Sequence, residues 1–302
     1  MNESAIVFGS RSLVGVLCAP VKTADMAVIF VNAGSTHRSG PNRLYVNLAR
    51  RLAVKGYASL RFDLAGVGDS PSATGLGKFR KYAAKQVGEA MEYLARTKGW
   101  QRFIILGLCG GADIAFDAGA ADEMAEGLIL INGAFVDGDS FASLYHAASS
   151  KIANRFYAAR MFSPRRWWRL ITFQSRFWKQ FGHRKEASQL TQLAGGQPTA
   201  EMVLIDSKLR WETLAQRKAN VLLIYSQGSV FWDIYKTANR DFLKTAYPAD
   251  RLTVSFHKNA DHTYTLLSAQ ERLAKQIEQW LDAIPRSKSK TQYVGEIVGG
   301  MI

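Results

Sequence analysis

Among the residues of this chain, a thiol held between glycines stands out as equipped for chemistry. Gly107-Leu108-Cys109-Gly110-Gly111 follows the apolar run Phe103-Ile104-Ile105-Leu106 and precedes Ala112-Asp113-Ile114-Ala115-Phe116, so Cys109 falls where a strand gives way to a helix. A nucleophile on such a turn is lifted above the sheet edge, and its neighbours must be small for chain segments to pass each other. Glycine at 107 and 111 meets that demand. A helix beginning near Gly110 aims free N–H groups and its positive dipole end at Cys109, which is expected to lower the thiol pKa and to stabilise a developing oxyanion. Both effects favour acyl chemistry. The thiol also needs a base, and imidazole is poised near neutral pH. Five histidines are available: His37, His146, His183, His257 and His262.

The elements that must position these groups are legible from period and punctuation. Ala5–Phe8 and Leu13–Cys18 read as strands joined by Gly9-Ser10-Arg11-Ser12, a hairpin. Met26–Val31 is a buried strand, and 42–55 has helical spacing through Leu44, Leu48 and Leu52 until Gly56 stops it. Further strands are expected at Tyr57–Phe62, 102–106, Leu128–Ile131, Val221–Tyr225 and Arg251–Phe256, with helices over about 77–97, from the glycine turn to about Ala121, and over Leu266–Ile284. This alternation implies an α/β protein: a mostly parallel, doubly wound sheet with an antiparallel N-terminal edge. It breaks once, between about 140 and 217, where strands disappear. The expected organisation is a core of 1–139 and 218–285, a helical cap inserted at 140–217, and a basic tail at 286–302. There is no internal repeat.

Composition bounds the function. At 302 residues, 47% hydrophobic and 21% charged, the chain is of the soluble globular class. No stretch reaches about 18 unbroken apolar residues and no basic segment leads into an apolar one at the N-terminus, so a cytoplasmic location is expected. Two cysteines, Cys18 and Cys109, are too few for a disulfide framework. The formal charge of +14 implies attraction to something anionic. It concentrates between Arg155 and Lys185, where Arg160, Arg165, Arg166, Arg169 and Arg176 mix with Trp167, Trp168 and Trp178 and no Asp or Glu intervenes. A small acyl substrate that is anionic or CoA-linked, or peripheral contact with an anionic membrane, would suit that stretch, as would a lid with solvated arginines. Nucleic acid is not expected as a partner, for want of a recognised motif. No cofactor is expected, since Gly66-Val67-Gly68 lacks the rest of a dinucleotide fingerprint, and no His, Cys or carboxylate cluster has metal-ligand spacing along the sequence.

The sequence resembles the α/β-hydrolase superfamily over nearly its whole length. Gly107-Leu108-Cys109-Gly110-Gly111 is similar to that superfamily's nucleophile elbow, with cysteine for the usual serine, a replacement also seen in dienelactone hydrolases and polyhydroxyalkanoate synthases. Asp63-Leu64-Ala65-Gly66-Val67-Gly68-Asp69-Ser70 resembles its D-x-x-G-x-G-x-S turn, and Asn32-Ala33-Gly34 with His37-Arg38-Ser39-Gly40-Pro41 resembles the oxyanion loop of the serine-aminopeptidase-like branch. The stretch from His37 to Val46 is most similar to hydrolases associated with the exosortase system.

The resemblance implies a nucleophile, an acid and a histidine in that order. It makes Cys109 the nucleophile and His262, in Asn259-Ala260-Asp261-His262-Thr263, the base. The acid belongs a few residues beyond Val221–Tyr225, yet the chain continues Ser226-Gln227-Gly228-Ser229 and reaches Asp233 late. Asp233 is expected to orient His262, with Asp206 as the alternative. Asp261 adjoins the histidine and is badly placed for its far ring proton. The oxyanion donors implied are the N–H of Gly110 and that of Ala33 or Gly34, while His37, Arg38 and Leu108 would contact substrate; the Asp63 turn would brace the sheet. Together these parts imply cleavage of an ester or thioester through an acyl-cysteine intermediate. An acyltransferase with a non-water acceptor, or a catalytically inactive binding protein, are the alternatives.

Overall fold

The architecture was analysed in a computed structural model, which describes residues 1–21, 26–72, 79–136, 200–227 and 229–284. Of the cap expected at 140–217, residues 140–199 with the basic aromatic stretch, His146 and His183 lie outside the described residues, as do the expected tail at 286–302 and the side chain of Asp206.

Eight strands form one sheet: β1 (Asn2–Phe8), β2 (Leu13–Ala19), β3 (Ala27–Val31), β4 (Ala58–Phe62), β5 (Phe103–Leu108), β6 (Ala125–Ile131), β7 (Asn220–Ser226) and β8 (Leu252–His257). Their spatial order is β1-β2-β4-β3-β5-β6-β7-β8. Strand β2 is antiparallel to both β1 and β4, and every other pairing is parallel, as the strand–helix alternation requires. The strands β3 to β7 are buried almost throughout and rich in Val, Ile, Leu and Phe because helices cover both faces.

The helices divide between the faces. α1 (Leu44–Val54) and α7 (Leu267–Ala283) lie on one side, where Leu48, Leu52, Leu273 and Ile277 pack against Val28, Ile104 and Leu222. Arg51 ties the two helices together by bonding Glu278 at 2.7 Å. On the other side lie α2 (Phe79–Lys98), α3 (Gly110–Ala121) and α4 (Ala200–Gln216), over Ile29, Ile105, Leu130 and Leu223. Between β7 and β8 the chain makes α5 (Val230–Ile234), a π-helical turn (Tyr235–Asn239) and α6 (Arg240–Ala246).

Helix α4 falls within the segment expected as the cap. Placed by sequence at the end of the insertion, it packs into the layer flanking the sheet: Trp211 is 1% exposed and its ring centroid lies 4.5 Å from that of Phe116 on α3. The reason is the right-handed crossover from β6 to the parallel β7, which needs a helix on this face.

Candidate active site

The thiol sits where the strand-to-helix reading puts it. Cys109 directly follows β5 and caps α3 with φ 57° and ψ −127°, a backbone that side chains rarely adopt. Its glycine neighbours are needed for closeness. A Cβ on Gly107 would stand 2.0 Å from the carbonyl oxygen of Gly111, and one on Gly111 would stand 2.4 Å from that of Asn32. The elbow is therefore wedged between α3 and the end of β3.

That wedge brings the expected oxyanion loop to the thiol. A Cβ on Gly110 would lie 3.8 Å from Cα of Gly34, so the two backbone segments face each other across a gap of contact size. Gly34 turns with φ 61°, closed by the Thr36 N–H donating to the Ala33 carbonyl at 3.2 Å. Ala33, Cys109 and Gly110 are each partly open to solvent and Gly34 is exposed.

Cys109 and His262 are anchored to consecutive residues at the end of β6. The Cys109 N–H donates to the Ile131 carbonyl at 2.8 Å, and the side-chain amide of the next residue, Asn132, donates to the His262 carbonyl at 3.0 Å. The imidazole stacks on Phe231, centroids 5.4 Å apart at 27°, and its Nδ1 lies 3.4 Å from Ser229 Oγ. Neither ring nitrogen hydrogen-bonds the thiol in this arrangement.

Burial disfavours the charged form of both groups. Burial pushes the Cys109 thiol above its ordinary value; the Gly110 N–H pulls it down and the Asp113 carboxylate adds to the rise. This corrects the expectation of a thiol acidified by the helix: desolvation and a like charge one turn into α3 outweigh the N–H group. Burial likewise lowers the His262 pKa, against the opposing charge of Asp261.

Several expected roles fall elsewhere. Asp233 does not reach His262; its carboxylate pairs with Lys236 Nζ at 2.6 Å, one helical turn on, because α5 directs it along the helix surface. Leu108 is 1% exposed and belongs to the core under α1 and α7, since alternation along β5 turns it away from the elbow's open side. Arg38 is drawn to two carboxylates of the turn: its guanidinium bonds the buried Asp63 and, at 2.7 Å, the exposed Asp69. His37 is exposed beside the same carboxylates, 3.6 Å from Asp63 and 3.5 Å from Asp69.

Asp63 is the brace that the sequence indicated. Fully buried, it accepts from the Arg38 N–H at 2.6 Å, from Asn32 Nδ2 at 3.1 Å and from the Asp69 N–H at 3.2 Å. Ser70 completes the turn by donating to the Asp63 carbonyl at 2.6 Å and accepting from the Val14 N–H at 2.9 Å. Folding also assembles what linear spacing hid: ligand atoms of His37, Asp63 and Asp69 lie within 4.8 Å of one another, the one such group among the described residues. The Arg38 guanidinium already supplies the positive charge these carboxylates need.

Sequence reasoning passed over Ser229 and Asn132 as site residues. Ser229 was visible only as the serine standing where an acid was sought. Asn132 carried no signal except its place directly after a core strand.

Comparison with known proteins agrees with this architecture. The profile of the serine aminopeptidase S33 family matches residues 24–192. A dienelactone hydrolase from Anabaena variabilis superposes with a TM-score of 0.58 at 15% identity, covering 94% of this chain and 99% of that one. An esterase from Pyrococcus furiosus gives 0.57 at 12% identity, with 93% and 92% covered. An α/β serine hydrolase without lid from Xanthomonas campestris gives 0.53 at 17%, with 94% and 98% covered. No curated protein matches the sequence. These structural likenesses establish the fold, and with a family profile spanning more than half of the residues the chain belongs to the serine aminopeptidase S33 family of hydrolases, built on the α/β-hydrolase fold.

Proposed function

We propose that this hydrolase cleaves a small ester or thioester with Cys109 as nucleophile and His262 as general base. What carries the reading is the strained backbone of Cys109 at the head of α3, with the Gly34 loop in facing contact across Gly110. His262 Nε2 takes the thiol proton as sulfur attacks the acyl carbon. The carbonyl oxygen gains negative charge against the N–H groups of Gly110 and of Ala33 or Gly34. The leaving group departs with that proton and a thioester to Cys109 remains. Water, deprotonated by His262, then attacks it, the C–S bond breaks, the proton on Nε2 passes to the departing sulfur, and the acid is released.

A thiol pushed up and an imidazole pushed down by burial suit this order of events. The base acts at the moment of attack, with no ion pair formed beforehand. Acyl transfer would use the same residues with another acceptor in place of water. The other esterase and dienelactone hydrolase of this fold support ester chemistry as the first to assay.

The test compares wild type, Cys109→Ala and His262→Ala on aryl esters and acyl thioesters, with intact-mass detection of the acylated protein and with CoA added as a competing acceptor. The expected result is an acyl adduct on Cys109 in wild type and none in Cys109→Ala. Loss of either side chain should lower kcat/KM by about 10²-fold or more. Equal activity in the three proteins would remove the assignment.

A further inference from the structure

The position where the resemblance implies a carboxylate holds Ser229, and the structure gives that serine work to do. Ser229 is 6% exposed and caps α5, its Oγ accepting from the Phe231 N–H at 3.4 Å. The same oxygen stands 3.4 Å from Nδ1 of His262. Asn132, fully buried at φ 51°, clamps both sides of this contact. Its Nδ2 donates to the His262 carbonyl at 3.0 Å and to Ser226 Oγ at 2.9 Å, and its Oδ1 accepts from the Ser226 N–H at 2.9 Å. Ser226 in turn accepts from the Ser229 N–H at 3.3 Å. His262 is thus held at its backbone carbonyl, on the Phe231 face of its ring and at Nδ1. Among the described residues no carboxylate takes the place of Ser229: Asp233 is paired with Lys236.

We propose that Ser229 is the positioning residue for His262, its hydroxyl accepting the Nδ1 proton where a carboxylate otherwise would, with Asn132 fixing the backbone of the pair. The proposal rests on His262 as the general base. With the Nδ1–H donated to Oγ, the Nε2 lone pair is free to accept the thiol proton. The S–H bond then breaks, its electron pair becomes the new C–S bond, and the proton resides on Nε2. A hydroxyl orients the ring but cannot neutralise the imidazolium, so this arrangement suits a nucleophile that releases its proton readily. A thiol, even when burial pushes it above its ordinary value of about 8.5, gives up its proton far more readily than the hydroxyl of serine. Cysteine at the elbow and serine at the acid position are therefore matched departures. Asp261 is the charged group that acts on the ring, and its own carboxylate is held by Thr263 Oγ1 at 3.0 Å and Thr265 Oγ1 at 2.8 Å.

The experiment follows the His262 imidazole by NMR titration, assigned with His262→Ala, in the full chain carrying Ser229→Ala, Ser229→Asp, Ser229→Thr or Asp233→Asn, alongside the kinetics of ester cleavage. A carboxylate at 229 should raise the His262 midpoint by about one unit or more. Ser229→Ala should lower kcat about tenfold with KM little changed, the scale of one lost hydrogen bond, and Ser229→Thr should restore most of the loss. Asp233→Asn should leave the His262 midpoint in place. A midpoint unmoved by Ser229→Asp, a Ser229→Ala enzyme as fast as wild type, or a His262 midpoint that follows Asp233→Asn would each overturn the proposal. The titration needs no turnover, so its failure is distinct from that of the general-base assignment, which falls if His262→Ala remains active.

Discussion

At the scale of single residues, the elbow separates glycines that are indispensable from one that is not. Added methyls at Gly107 or Gly111 would meet backbone oxygens at 2.0 and 2.4 Å, and backbone cannot swing aside as a flexible side chain can. Gly107→Ala and Gly111→Ala should each lower the unfolding free energy by about 1–3 kcal/mol or more, read as a fall in the urea midpoint. Gly110→Ala meets its first neighbour at 3.8 Å, an ordinary contact, and should stay within about 0.5 kcal/mol of wild type. Equal midpoints for the three variants would disprove the wedge. The chemistry has its own residue-scale signature in pH. Only neutral imidazole can take a proton, and the His262 pKa is lowered, first by burial, so the base stays competent as pH falls. The rising limb of kcat/KM for an aryl ester should therefore lie below the ordinary imidazole value of about 6.5. A limb that instead tracks the thiol, well above neutrality, would contradict general-base attack by His262.

At the scale of elements, what the sequence made legible was whatever leaves a local mark. Period and punctuation placed all eight strands, because runs such as Val28-Ile29-Phe30-Val31 are buried on both faces and end at turn residues. The elbow was legible for the same local reason: its glycines answer a steric demand made within five residues. Partnerships across the fold left no such mark. Arg38 looked available for substrate until Asp63 and Asp69 came to it, and Asp233 looked like the missing acid until α5 turned it toward Lys236. The final helix of the insertion was assigned to the cap because helical period does not tell which surface a helix will cover. Packing does: Trp211 meets Phe116, Phe135 and Tyr247 edge to face or tilted, at centroid distances of 4.5 to 6.0 Å. Trp211→Ala should cost about 3–5 kcal/mol, the range for removing a large buried aromatic, in denaturant unfolding of the full chain. A loss below about 1 kcal/mol would mean that α4 belongs with the insertion after all.

At the scale of the whole molecule, stability against pH is set by carboxylates pulling in opposite directions. Glu3 and Asp69 are held below their ordinary values, chiefly by hydrogen bonds from Arg50 and Arg38, so what they contribute is present at neutral pH and lost as acid protonates them. Asp113 runs the other way. Partly buried behind the elbow, it accepts the Phe135 N–H at 2.5 Å where the chain turns with φ 57°, and desolvation raises its pKa to about 6. A carboxyl with a folded pKa above its unfolded one favours the folded state most when protonated in both. That contribution is complete below about pH 4 and is withdrawn as pH rises to about 6. The shift corresponds to about 3 kcal/mol, an order-of-magnitude figure. Asp113→Asn keeps an amide oxygen for the Phe135 N–H and cannot ionise, so it should gain on wild type as pH climbs from 4 to 7, whatever it does to stability at pH 4. Comparing the two proteins by urea unfolding at each pH cancels the salt-bridged carboxylates, which both share, and leaves Asp113 alone in the difference. A difference that stays flat across that window would show that Asp113 is ionised throughout, and with it that a permanent negative charge lies one helical turn from the thiol.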